Sequence, residues 1–212
     1  QTTVVAGVEQ SGRICAEALA ASRLGTSVLL NGPTGESNRY RLLARGPVWA
    51  LPRTPLGLVH QVAAALATGN PCHVVLPAQD NGCAAAWQAL RAAAGDAGVA
   101  WLHSADEQSW GDAQAPITAL LFEGDGDALV GITTAVAARA GAIVRVESRS
   151  SEALHAGHGY DLAALLHDVA KCSTTVIDPV TGAIGQPGHS RKGALDARIA
   201  LWDCDVPFAV RE

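Results

Sequence analysis

The chain has 212 residues, 49% of them hydrophobic and 17% charged, and a formal net charge of −5 at pH 7. This composition excludes a disordered chain, and its length favours one domain with at most a small appendage. An acidic balance without a basic stripe argues against a nucleic-acid partner, and the apolar runs break within about a dozen residues, short of the ~20 that a membrane span requires.

Taken in chain order, residues 8–21 carry apolar side chains at helical spacing (Ile14, Ala18, Leu19) and predict an amphipathic helix. Residues 26–31 predict a strand, Gly32 to Gly35 a turn, and residues 38–43 the returning strand of a hairpin. From Pro47 the pattern changes. Strands are expected at 48–51, 73–76, 99–102, 117–122 and 143–146, with helices at 56–67, 83–94 and 128–140, each closed near a glycine. Short strands apolar on both faces and separated by helices are the pattern of a parallel sheet covered on both sides. The expected fold class is therefore α/β, a doubly wound, mostly parallel Rossmann-like sheet.

Beyond Glu147 the pattern weakens. Residues 148–159 are expected to form a loop, and Asp161 to N-cap a short helix reaching Val169. Residues 172–177 predict a strand and Asp178 to Gly182 a turn, with 198–202 a further candidate strand. The expected division is 1–46 for the N-terminal helix and hairpin, 47–150 for the α/β core, and 151–212 for a helix and β-flap appendage.

Cys15, Cys72, Cys83, Cys172 and Cys204 lack CxxC spacing, which points to reduced thiols in a cytoplasmic protein. Gln1 to Gly7 has neither a basic n-region nor an apolar h-region. The missing initiator Met leads us to expect a fragment or a processed product.

Gly32-Pro-Thr-Gly-Glu36, Asn38, Tyr40, Leu42 and Arg45-Gly46 resemble the segment that opens the C-terminal domain of long proline utilization A proteins. The run from Gly46-Pro-Val-Trp-Ala through Pro55-Leu56 to Ala64-Ala-Leu-Ala-Thr-Gly-Asn70 and Val74-Val-Leu76 is similar to the start of an aldehyde dehydrogenase cofactor domain. Phe122-Glu-Gly-Asp-Gly126 stands where that family carries a Phe-x-Gly-Ser turn, and residues 160–166 resemble a later stretch of the same domain.

The family joins a flavin-dependent proline dehydrogenase to an aldehyde dehydrogenase that oxidises glutamate semialdehyde. Its C-terminal domain has the aldehyde dehydrogenase fold but is not catalytic. The resemblance thus implies packing on the catalytic domains of a parent enzyme, helping to close the channel between two active sites. NAD and FAD are expected only in the rest of that parent. The family's C-terminal Asn-Thr-Ala-Ala-Ala-Gly-Gly-Asn motif is not present; Ser173 to Pro179 stands near its expected place.

The residues themselves argue against a cofactor. The first strand–helix turn is Pro52-Arg-Thr-Pro55, without GxGxxG, and offers Arg53 and Thr54 where active family members carry an oxyanion-holding Asn. Leu76-Pro77 replaces the ribose-contacting Lys. Glu123, Asp125 and Asp127 are expected to crowd the N-terminus of the following helix, satisfying its dipole and meeting a pyrophosphate as like charges.

No catalytic residue is expected. Cys72 and Cys83 flank apolar elements and predict buried, inert thiols, while Cys172 and Cys204 lie in the appendage without a cationic neighbour. His155, His158, His167 and His189 fall on different loops and element ends, which favours surface histidines over a metal site. His60, His73 and His103 are expected to be structural, and Trp49, Trp101 and Trp202 to sit in core or interface. The flap residues Val176, Ile177, Ile199, Leu201 and Trp202 are the interface candidates, through a partner domain or self-association. Two other readings stand beside this one: the NAD(P)-binding portion of an active aldehyde dehydrogenase, and a small-molecule binder using the crevice at the strand C-termini.

Overall fold

The computed structural model describes residues 2–32, 35–79, 81–106, 115–174, 176–177, 184–185 and 206–207. Its chain divides into two compact units. The first comprises Gln1–Leu24 and Ala44–Leu166, the second Gly25–Leu43 and His167–Glu212. The divide falls away from the 46/47 and 150/151 positions expected from the sequence. The N-terminal helix joins the α/β core, and the hairpin joins the residues after His167.

The first unit opens with α1 (Thr2–Ala21), six residues longer than its periodic stretch. Ile14 and Ala18 of this helix pack against Val59 and Ala63 of α2 (Pro55–Ala67). In α2, Thr54 is the N-cap, accepting from the Gly57 N–H, and Pro55 occupies the first turn, where a missing N–H costs nothing. Nearly all of this helix is buried, as an alanine-rich segment under a sheet must be.

Five strands form the core sheet: β3 (Val48–Leu51), β4 (Cys72–Val75), β5 (Leu102–Ala105), β6 (Ala119–Glu123) and β7 (Arg145–Arg149). All four pairings are parallel, in the order β5-β4-β3-β6-β7. The doubly wound α/β expectation therefore holds. Alternation along β3 and β6 sends Val48, Ala50, Ala119 and Leu121 to one face, under α2 and α3 (Cys83–Gly98) with Trp87. Leu51, Leu120 and Phe122 go to the other, under Val136 of α4 (Gly126–Ala137). The chain runs outward from β3 in one direction and from β6 in the other, so the topological switch point lies between these two strands.

Several sequence expectations need correction. The helix expected to stop near Gly95 does break there, at a non-helical Gly95 (φ 56°, ψ −151°) that glycine adopts without a Cβ penalty, and a short further turn carries α3 to Gly98. Residues 99–101 are therefore a turn, and the strand begins at Leu102. Its fellow at 143–146 also starts later, at Arg145, leaving Ile143 95% exposed while the buried Glu147 accepts from Arg145 Nε at 2.9 Å. Residues 148–159 are not wholly loop: β7 runs to Arg149, and α5 (Ser151–His155) follows with Ser150 as N-cap. Asp161 caps no helix to Val169. Its carboxylate accepts from the Ala163 N–H within a single 3-10 turn, Ala163–Leu165, and the chain then extends.

In the second unit, β1 (Ser27–Leu30) and β2 (Glu36–Ala44) form the expected antiparallel hairpin. β2 is flanked on its other side by β8 (Leu166–Thr174), giving a sheet in the order β1-β2-β8-β11, with β11 at Val206–Pro207. Tyr40 donates to Asp168 at 2.6 Å across β2 and β8. A two-turn helix at 161–169 would have buried little. A strand there satisfies the otherwise open edge of β2. Val176 and Ile177 form β9 (Val176–Ile177), paired antiparallel with β10 (Ile184–Gly185). Ile199, Leu201 and Trp202, the turn at 178–182 and the candidate strand at 198–202 lie outside the described residues.

Candidate functional site

In open parallel sheets the ligand crevice lies at the carboxyl ends of the strands, at the switch point. Here that position is bounded by Pro52-Arg-Thr after β3 and Phe122-Glu-Gly-Asp after β6, which lie side by side because Leu51 pairs with Phe122. Arg53 is exposed, with its guanidinium carbon 5.6 Å from the centre of the Phe122 ring.

Glu123 decides the character of the site. Its residue is 0% exposed, yet its carboxylate is fully engaged. Oε2 accepts from the backbone N–H groups of Arg53 at 2.6 Å and Thr54 at 2.8 Å. Oε1 accepts from the Thr54 hydroxyl at 2.7 Å and the Ser151 hydroxyl at 2.8 Å. A buried charge without such partners would be strongly disfavoured, and charge-assisted bonds of this length are the strong kind. The sequence expectation placed Glu123 with Asp125 and Asp127 at the start of α4. That grouping is corrected: Glu123 turns back to the start of α2, one strand away. Asp125 remains, as the N-cap of α4 accepting from Ala128 N–H at 3.1 Å, with Asp127 in the first turn. Glu123 continues the face of β6 that Ala119 and Leu121 present to α2, and the strand ends there before Asp125 caps α4.

Gly57 makes this arrangement sterically possible. A Cβ there would lie 1.9 Å from Glu123 Oε2 and 2.4 Å from its carboxyl carbon. Gly57 is helical and needs no special backbone angle; its role is close approach. Behind the carboxylate, Tyr160 donates to the Phe122 carbonyl at 3.1 Å and accepts from Gln61 Nε2 at 2.9 Å. Burial raises the Tyr160 pKa, so the phenol stays a neutral donor. Arg149 closes the rim, its guanidinium 5.9 Å above the Tyr160 ring and its Nε donating to the Gly159 carbonyl. Sequence reasoning did not single out Gly57, Tyr160, Gln61 or Ser151. Only Thr54-Pro55, a capping residue followed by proline, carried a local signal.

Two of the thiols lie in the core. Cys72 and Cys83 are buried, and burial pushes Cys72 up to about 12 and Cys83 up to about 11, the latter helped by the Glu123 charge. Cys15 is exposed, its pKa raised by desolvation, and Cys172 is half-buried; Cys204 lies outside the described residues. Among the described residues no three His, Cys, Asp or Glu side chains group as metal ligands. His155 and His158 are exposed, and His189 lies outside the described residues. His60 is buried at 9% exposure, and burial lowers its pKa. Trp49 is buried and Trp101 is 42% exposed.

Comparison with known proteins agrees with this fold. The bifunctional protein PutA of Rhizobium meliloti is 38% identical over 131 residues, 62% of this chain and 10% of that protein. The chain is similar to a segment of proline utilization A with an aldehyde-dehydrogenase-like fold. A crystal structure of Bradyrhizobium japonicum proline utilization A superposes with a TM-score of 0.53 at 28% identity, covering 66% of this chain and 15% of that one. An NAD-dependent benzaldehyde dehydrogenase from Corynebacterium glutamicum shares the fold, with a TM-score of 0.50 at 22% identity over 65% of this chain and 32% of that one. No family model matches the chain. The chain spans about a tenth of the length of the curated relatives it matches.

The Gly57–Glu123 contact predicts a coupled pair. Glu123→Ala should cost about 2–4 kcal/mol, because buried donors lose their acceptor. Gly57→Ala alone should destabilise by displacing the carboxylate. The double variant should be more stable than the sum of the singles by about 1 kcal/mol or more. Urea unfolding of the four proteins reads this directly, and additive losses would show that the carboxylate does not sit against Gly57.

Proposed function

We propose that this chain is a non-catalytic aldehyde-dehydrogenase-like domain that packs on the catalytic domains of a bifunctional proline-catabolic enzyme in the cytoplasm. There it closes the substrate channel or aids assembly. The observation that carries this reading is Glu123, an anion of the chain itself, held by four hydrogen bonds at the start of α2 beside the switch point. With Asp125 and Asp127 at the start of α4, both helix N-termini facing the crevice already have a negative partner.

The residues present do not fit a dinucleotide. Its pyrophosphate would meet carboxylates at both positions, and Leu76-Pro77 after β4 supplies no cation. Nor do the described thiols fit a covalent mechanism, which needs a thiolate that burial here disfavours. NAD and FAD belong, in this reading, to the rest of the parent. Among the described residues no helix is long and apolar enough to cross a membrane.

Calorimetric titration with NAD⁺ and NADP⁺ should show no binding at or tighter than a Kd of about 0.1 mM, some −5.5 kcal/mol. Binding at or below that value would favour the cofactor-binding portion of an active enzyme instead.

The flap supplies the docking surface in this account, through Val176, Ile177, Ile199, Leu201 and Trp202. Five such side chains bury about 1.5–3 kcal/mol each before ordering costs. When the chain is alone, the same residues pair two copies. Ile199→Ser, Leu201→Ser and Trp202→Ser together should turn a dimer into a monomer in light scattering and leave the far-ultraviolet circular dichroism unchanged. A wild-type chain already monomeric at tens of micromolar would exclude pairing through the flap.

A further inference from the structure

A ladder of three aromatic rings crosses the free end of the core sheet, and neither the site nor its carboxylate uses it. The register sets Trp49 of β3 beside His73 of β4, and His73 beside His103 of β5. The rings are stacked. Trp49 and His73 have centroids 5.2 Å apart with planes 9° from parallel, and His73 and His103 are 4.7 Å apart at 27°. Trp49 is 3% exposed and anchored by its indole N–H, which donates to the Pro116 carbonyl at 3.2 Å. Both imidazoles are half-buried.

We propose that this Trp49–His73–His103 ladder is an acid-sensitive latch that holds β5 on the edge of the sheet when both imidazoles are neutral and releases it when they are charged. β5 is four residues long and, among the described residues, pairs with β4 alone, while Leu102 on the opposite face sits in the main core. The apolar cluster beneath α4 takes residues from β3, β6 and β7 and none from β4 or β5. On that face the rings are what ties β5 to the rest.

Neutral imidazoles stack as aromatic rings do. A single proton on His73 meets the attracting Trp49 face but loses solvation by burial. A second proton places two like charges face to face at 4.7 Å. The titratable group set against His73 is His103, and its other neighbour, Trp49, does not ionise. Asp106, the first residue past β5, is exposed.

Burial, and then the His103 charge, hold the His73 pKa below the ordinary imidazole range. The sign follows. In the released state His73 binds its proton near pH 6.5, whereas in the closed state it resists. Closure is therefore favoured above about pH 6.5 and weakened as the pH falls through the closed-state value. Release leaves the hydrogen-bonding edge of β4 open to strand addition.

Amide hydrogen exchange on the full chain at pH 7 and pH 5, corrected for intrinsic rates, tests the latch. Protection of the β5 amides bonded to β4 should fall on the order of tenfold at pH 5, while β3 and β6 keep theirs. His103→Phe retains a ring that cannot charge and should weaken the acid response, leaving the part that His73 burial causes. His103→Gln, which removes both ring and charge, should also weaken it, and serves if the phenylalanine variant does not fold. In either variant the His73 midpoint, followed by NMR, should move up. Equal loss across β3, β5 and β6, no loss in β5, or an acid response undiminished in both variants would each overturn the proposal.

Discussion

The structure around the switch point depends on one buried carboxylate. Glu123 ends β6 in the most enclosed part of the sheet, where an ionised side chain is tolerated only if every lone-pair direction is met. The backbone N–H groups of Arg53 and Thr54 and the hydroxyls of Thr54 and Ser151 meet them, so that one side chain joins the end of β3, the cap of α2 and the first turn of α5. The last residue before α2 is thereby a capping residue twice over. Its hydroxyl accepts from Gly57 and donates to Glu123.

This arrangement changes what the fold does with its helix N-termini. In a dinucleotide-binding sheet such N–H groups are left for the phosphates of a ligand. Here α2 is served by Glu123 and α4 by Asp125 and Asp127, so the chain satisfies internally what a ligand would otherwise satisfy. Tyr160 and Gln61 brace the same region from behind, Tyr160 donating to the Phe122 carbonyl and Gln61 to the Leu51 carbonyl and the Tyr160 hydroxyl. Within this network Gln61 Oε1 has no hydrogen-bond partner among the described residues.

Much of the fold was legible because helical and strand periods alternate cleanly. Residues 48–51 form a strand and 55–67 a helix within one residue of expectation, since Pro55 and Gly69 bracket α2. The failures share a cause: apolar content was read as strand where burial did not follow. Val99 is 62% and Ile143 95% exposed, and the strands start further on, at the half-polar segments 102–105 and 145–149. Edge strands tolerate such polarity, and a single sequence does not say which strands are edges. The Asp161 helix failed for a tertiary reason, because β2 has an edge that only an extended partner satisfies. The acidic turn at residues 123–127 was visible in the sequence. The direction of Glu123 was not, since it depends on a pairing between strands some seventy residues apart. Gly57, which permits that direction, looked like any small residue in an alanine-rich helix.

The amides of Arg53 and Thr54 test the account most directly. Both belong to a segment outside regular structure, Arg53 is solvent-exposed, and their hydrogen-bond acceptor is the Glu123 carboxylate. Amide exchange measured by NMR should find both protected by about a thousandfold or more, and Glu123→Ala should return them toward the rate of an open loop. Exchange of these two amides near the intrinsic rate in the wild-type chain would mean that the carboxylate is not seated on α2, and that the switch point is open.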